Sequence, residues 1–289
     1  MGHGQQKSVI LWPVTRCIGK INWVIALLYY FCTKQLRLHH NMKKNLSVTF
    51  TLLIVFTVFG ANAQDVPVGK NYLGIYAGVS QPLGDFKNTN YYNNQSGLAR
   101  QSITYGINWA HYFNKHIAGV IDLSFQDQGR PSSDALQGLS AGYNADFNAQ
   151  STTVTITQRF QNFNILLGPQ YSFYFGKFSF DVGASAGLLK SYDTPEYEIN
   201  VYKQVVSSTT LESTTFYQRS SHASAFAYSG NIGLHYNVSD GFGFAFNAKY
   251  VNCAGITITN ESNTYTNGRL VTKQPITVAQ ATLGLFFHF

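Results

Sequence analysis

Two aspartates, a lysine and a histidine occupy polar positions in segments that otherwise alternate apolar and polar residues. They are Asp122, Asp181, Lys249 and His235, and Asn108 occupies the same kind of position in its own segment. Such groups on one inward face could line a small polar conduit, or pair with one another and fix strand register. A second grouping, Ser220, Ser221 and His222 with Glu212, has the residue types of a nucleophile, a base and an acid at a surface. A Ser/Thr-rich stretch also collects such residues by composition alone. His111 and His116 flank Asn114, where an imidazole is interfacial or solvated rather than a ligand. Cys253 is the lone cysteine after position 32, and no Cys/His cluster has zinc spacing. A single thiol in a strand acts as a small apolar filler. Gly241-Phe-Gly243 has neither the following helix nor the Lys-Ser/Thr pair of a phosphate loop. No catalytic residue, metal ligand or cofactor is assigned.

The elements that must position these groups are strands. From Tyr72 to Ser80, Leu73, Ile75, Ala77 and Val79 share one face. Ser102 to Phe113 alternates Ile103, Tyr105, Ile107 and Trp109 with Thr104, Gly106 and Asn108, and after Asn114–His116 the pattern resumes at Ile117. Phe163–Phe173 turns at Phe175-Gly-Lys177 into Phe178–Leu188, and Ala223–Tyr236 turns at Asn237–Gly241 into Phe242–Tyr250. The chain ends on Thr277–Phe289, with Phe289, Phe287, Leu285 and Leu283 on one face and Phe286 a large intruder on the other. Period two gives each segment a greasy face and a polar one.

Long polar stretches (81–101, 128–152, 190–221 and 254–275) alternate strictly with the short turns. This arrangement predicts an all-β fold, an eight-stranded antiparallel up-and-down transmembrane β-barrel. A soluble barrel around a ligand is the structural rival. Against it, outward aromatics gather at the turn ends (Trp109, Phe113, Phe173, Phe178, Tyr236, Phe242, Phe287 and Phe289), as an interfacial girdle does. The opposite face, with Asp122, Asp181, Lys249 and His235, is too polar for a lipocalin-like core. Pro169 removes a ladder donor, which predicts a bulge or local distortion in its strand. Arg159 and Gln161 share parity with lipid-facing Phe163, so that end must stand above the bilayer.

The formal charge of +7 misleads. Seven of the 20 basic residues precede Gln64, whereas all 13 acidic residues follow it and face the other 13 basic ones. No basic excess remains to neutralise phosphates, so nucleic-acid binding loses its support. Lys43-Lys44, the apolar run Leu46–Phe59 and Ala61-Asn-Ala63 form the three parts of a secretory signal with cleavage after Ala63. Its h-region is too short for a comfortable membrane helix. Residues 1–41 then read as an upstream extension of the frame, 42–63 as the signal peptide and 64–289 as the barrel domain.

Gly74-Ile-Tyr-Ala-Gly-Val-Ser-Gln-Pro-Leu-Gly-Asp-Phe86 and the terminal Phe289 resemble the outer-membrane β-barrel (porin-like) family of Bacteroidetes-type bacteria. The resemblance covers the whole mature chain at pattern level. It implies an outer-membrane location, outer-membrane lipid as a partner, and no shared catalytic residue. In that setting Phe289, Phe287 and Leu285 are the C-terminal signal for the barrel-assembly machinery. Residues 128–152 and 190–221, the latter with Tyr192, Tyr197, Tyr202, Phe216 and Tyr217, suit contact with a surface ligand. The role expected is structural or surface-interacting, with a narrow porin and a lipid-modifying or proteolytic surface enzyme as the alternatives. Asn267-Gly268 reads as a two-residue turn capping a loop extension.

Overall fold

Period-two alternation is expressed in eight long strands that close on themselves. The computed structural model describes residues 70–204, 211–261 and 268–289, all within the unit Asn62–Phe289. The signal peptide, the cleavage site and Asn267 lie outside the described residues.

In chain order the elements are β1 (Asn71–Pro82), α1 (Gly84–Lys87), β2 (Ser102–Tyr112), β3 (Ile117–Gly129), α2 (Ser133–Phe147), β4 (Ser151–Ile156) and β5 (Phe160–Phe175). They continue with β6 (Phe178–Asp193), β7 (Tyr197–Gln204), β8 (Leu211–Gln218), β9 (Ser224–Ser239), β10 (Phe242–Thr257), β11 (Asn260–Glu261) and β12 (Lys273–His288). The barrel runs β1-β12-β10-β9-β6-β5-β3-β2 and closes, every pair antiparallel. Each long strand therefore follows its neighbour up and down, with β12 sealing against β1. At the seam the Asn71 and Phe289 backbones exchange two hydrogen bonds of 3.0 Å.

Three tight turns gather at the end that holds both termini of the barrel. Phe113 N–H donates to the Ile117 carbonyl at 2.9 Å, and Gly176 takes a positive φ of 62°, which a side chain would strain. The long connections lie at the other end.

The outward face is apolar all the way round. Ile75, Ile107, Leu123, Ile165, Leu188 and Phe226 are successive register partners across six strands. Leu285, Phe244, Tyr236 and Phe178 carry the belt round the remaining wall. Near the turns, Phe178 packs on Tyr236 at 4.9 Å and Phe242 on Phe287 at 5.5 Å between ring centroids. Asp127, at the far end, pairs with Arg159 at 3.1 Å, so this charge lies beyond the apolar belt.

Three features bear on the pattern expected from the sequence. Pro169 causes no bulge: Leu167–Ala186 and Gln170–Gly183 are in one register, and pairing with β6 merely lapses at Gly168 and Pro169. The missing proline N–H costs ladder bonds without adding a residue. The register shifts fall instead near the outer rim, between Asp127 and Gly129, between Gln161 and Asn162 and between Cys253 and Ile256, and beside the β9–β10 turn between Phe242 and Gly243.

Second, the stretch 128–152 contains a 15-residue helix, α2. Ser132 caps it by accepting the Ala135 N–H at 3.2 Å, and Asn148 ends it in the left-handed conformation. Third, 190–221 leaves the barrel as the hairpin β7–β8. It joins β4 and β11 in a separate four-stranded sheet ordered β11-β8-β7-β4. Tyr197, Ile199, Val201 and Phe216 on one face of that sheet bury Ala135, Leu139, Tyr143 and Phe147 of α2.

Candidate functional site in the barrel lumen and outer cap

Eight strands enclose a lumen just wide enough for side chains, so inward residues from non-neighbouring strands meet across it. At the turn end Tyr72, Ala110, Tyr112, Ala118, Val120, Ala245 and Phe286 form a buried plug. The His235 ring lies flat on Tyr72, 5.4 Å between centroids and 2° between planes, and tilts against Phe286 at 5.0 Å. Phe286, the intruder on the polar face of the last strand, thus fills the lumen floor.

Two charge clusters sit above this floor. Lys249 Nζ lies 2.7 Å from Asp122 Oδ2 and 3.1 Å from the Tyr76 hydroxyl. That hydroxyl itself donates to Asp122 Oδ2 at 2.7 Å. His235 Nδ1 is 3.1 Å from Asp181 Oδ2, and Gln170 Nε2 donates to the same oxygen at 3.0 Å. Asn108 is the register neighbour of both Asp122 and Gly74. A Cβ on Gly74 would stand 2.2 Å from Asn108 Oδ1, so this glycine gives the amide its space. Asn108, Asp122, His235 and Lys249 border one cavity of about 30 Å³ with Tyr76 and Gln170, and Asp181 stands behind His235 and Gln170 outside its lining. That volume holds a water or two, and no larger solute.

Higher in the lumen, Phe86, Phe160, Leu166, Leu189, Val251, Ile276 and Val278 form an apolar seal. Phe86, from α1, packs edge-on against Phe160 at 4.9 Å, and Cys253 is wholly buried in the same cluster. Among the inward residues are also buried amides: Gln126, Asn162, Asn164 and Gln280. Asn164 Nδ2 donates to Ser124 Oγ at 3.2 Å. The side-chain atoms of Gln126, Asn162 and Gln280 have no protein partner.

The surface grouping is not assembled for nucleophilic chemistry. Ser221 Oγ donates to the Thr257 carbonyl at 2.5 Å, and Ser220 Oγ accepts the Thr194 N–H at 3.0 Å. His222 Nδ1 meets the Tyr192 carbonyl, and Glu212 stands opposite Lys203 in the β7–β8 hairpin. These contacts tie the hairpin to the barrel rim. His111 Nδ1 contacts Asn71 Oδ1 at 3.0 Å. His116 Nδ1 meets the Ser172 carbonyl at 2.8 Å, so both histidines brace the turn end.

The cap of α2 and the outer sheet was missed as a unit by sequence reasoning. Its signal was available: Ala135, Leu139, Tyr143 and Phe147 recur every four residues after a Ser cap. Inside the cap, Tyr91 OH donates to Asp146 at 2.7 Å, and Tyr143 OH to the Arg269 carbonyl at 3.4 Å. Burial pushes the Tyr143 hydroxyl up to about 12 and lowers the Arg269 guanidinium from its usual range. The guanidinium donates to the Ser96 carbonyl. Arg219 clasps both Glu261 oxygens at 2.9 Å and Glu196 at 2.8 Å, and lies 4.9 Å over the Tyr217 ring. Its hydrogen bonds hold the Glu261 carboxyl below the usual range.

No protein-family model matches the chain, and no curated protein sequence matches it. Among solved structures it is similar to Neisserial surface protein A, at 10% identity over 77% of this chain and 99% of that one, with a TM-score of 0.40. It is also similar to the outer membrane protein OprG from Pseudomonas aeruginosa, at 11% identity, 77% and 98% coverage and a TM-score of 0.40. The attachment invasion locus protein Ail of Yersinia pestis is similar at 12% identity, 77% and 99% coverage and a TM-score of 0.35.

Proposed function

We propose that this chain is an integral outer-membrane barrel with a structural or surface-interaction role. Its lumen is packed shut, and its outer cap makes contacts at the cell surface. One observation carries the membrane reading: the barrel is inverted relative to a water-soluble one, with charges inside and a continuous apolar belt outside. Ile75, Leu283, Phe226 and Phe289 are 47, 70, 59 and 65% exposed, while Asp181 is 1% exposed. In water such a belt would be a large exposed apolar patch; in a bilayer it faces its own solvent. The short turns then face the periplasm and the cap faces outward.

The sealed-lumen reading is tested by planar-bilayer recording. Purified, refolded protein should give no stable channel, because the cavity is small and both ends are packed. A large, persistent, solute-passing current would overturn this. The buried amides Gln126, Asn162 and Gln280 favour the second reading, a narrow porin, since their side-chain groups without a protein partner could be met by water or a small polar species. The same recording separates the two.

The last strand carries a further role in this reading, as the element that the assembly machinery recognises through Phe289, Phe287 and Leu285. Phe289 extends the outward row and closes the β1–β12 seam by its backbone. Deleting it should lower the amount of heat-modifiable protein in the outer-membrane fraction severalfold. Deleting exposed Asn94 from a loop should not. Equal yields would remove the assembly role.

A further inference from the structure

The outer sheet has two edges, and they are treated differently. At one edge the described part of β11 is Asn260–Glu261, and Glu261 is clasped by Arg219. Charged side chains are how natural sheets blunt an edge against unwanted pairing. At the other edge lies β4, Ser151-Thr-Thr-Val-Thr-Ile156, six residues with no charge, proline or glycine. Among the described residues β4 pairs with β7 alone.

The free side of β4 is oriented for pairing. Ser140 Oγ, from α2, donates to the Thr152 carbonyl at 2.7 Å, which therefore points away from β7. Backbone groups alternate along a strand, so Val154 and Ile156 turn theirs the same way. Their side chains are half-buried at the margin of the α2 cluster, whereas Ser151, Thr153 and Thr155 are exposed on the opposite face.

We propose that this edge is a docking site for an extended peptide segment of a partner protein, added as a fifth strand of the outer sheet. With the Thr152 carbonyl taken by Ser140, what β4 offers is the outward amide and carbonyl groups of Val154 and Ile156, and only another extended backbone matches that row. Six residues suit a short segment rather than a folded face. The apolar margin at Val154 and Ile156 selects a strand with alternate apolar side chains on the α2 side, and the hydroxyls opposite select polar ones. The assignment rests on the surface-interaction reading for where the edge is displayed.

The test uses residues 64–289 refolded in phosphatidylcholine vesicles and a fluorescent peptide with the sequence of Tyr197–Gln204, which already pairs with β4 on its other side. Binding should be saturable by fluorescence anisotropy. Two analogues, N-methylated at alternate residues, should differ: one should bind about tenfold more weakly, because a single edge of an added strand faces β4. Val154→Pro removes an outward N–H at an edge where proline is tolerated, and Val154→Lys charges the edge. Both should weaken binding about tenfold while heat-modifiable mobility stays that of the parent. Absence of peptide binding, equal loss with both analogues, or full binding to Val154→Pro would each overturn the proposal. A concentration-dependent dimer abolished by Val154→Pro would overturn it too, by assigning the edge to a second copy. If refolded protein binds the peptide but intact cells displaying it do not, the edge assignment holds and the surface reading fails.

Discussion

Leu283→Arg should destabilise the barrel by about 2–4 kcal/mol in lipid vesicles. Leu283 lies on β12 between outward Ala77 of β1 and Phe246 of β10, and is 70% exposed on the isolated barrel. It stands four residues from Phe287, or roughly 13 Å along an extended strand. With the usual barrel tilt that is about 10 Å below the aromatic rim, near the middle of the apolar band. An arginine there must either strip its guanidinium of water or drag water and headgroups inward. Leu283→Ala removes apolar area without adding charge and serves as the control, with a smaller cost. The measurement is an equilibrium denaturant titration in vesicles. Parent-like stability of Leu283→Arg would mean that this face does not meet lipid, and the belt would need another explanation.

The eight barrel strands are legible in the sequence because each follows one rule over its whole length. Outward Ile103, Tyr105, Ile107 and Trp109 alternate with inward Thr104, Gly106 and Asn108, and the connections alternate long and short. Parity also places Asp122, Asp181, Lys249, His235 and Asn108 inside. Parity does not reveal partners. Lys249, Tyr76 and Asp122 come from β10, β1 and β3, none of which pairs with another of the three, and they meet only because strand shear brings them to one height. That quantity belongs to the closed barrel and to no single segment.

The cap was hidden for a different reason. Gly142 interrupts the apolar face of α2, and Gly138 and Ser140 lie outside it, so its helical period is weak in any short window. Gly142 is small because Tyr91 lies on it: a Cβ there would stand 2.1 Å from the ring. The outer sheet strands β4, β7 and β8 are short and rich in Ser, Thr and Tyr. Their composition is that of a loop, and their order comes from the hydrophobic face they share with a helix that is next to β4 in sequence but far from β7 and β8. Pro169 shows the converse: a local rule against a strand proline holds for the hydrogen bond it removes and fails for the register, which seven other strands fix.

The buried ion pair carries the second large expected effect. Lys249→Ala should cost the barrel about 3–5 kcal/mol, because it leaves the Asp122 carboxylate in the lumen with Tyr76 as its remaining donor. Asp122 is 6% exposed, so bulk water cannot replace the ammonium. The favourable term lost is not the worth of the pair, since desolvating both ions offsets much of their attraction. The double variant Lys249→Met, Asp122→Leu should therefore recover most of the loss, with two apolar side chains filling the same narrow space. Asn252→Ala on the same strand, which removes a bond to Thr277 Oγ1 nearer the rim, should cost about 1 kcal/mol. Denaturant titrations of the four proteins in vesicles decide the matter. If Lys249→Ala costs no more than Asn252→Ala, the lumen around Asp122 is wet enough to solvate a lone carboxylate. The sealed-barrel reading would then give way to the narrow porin.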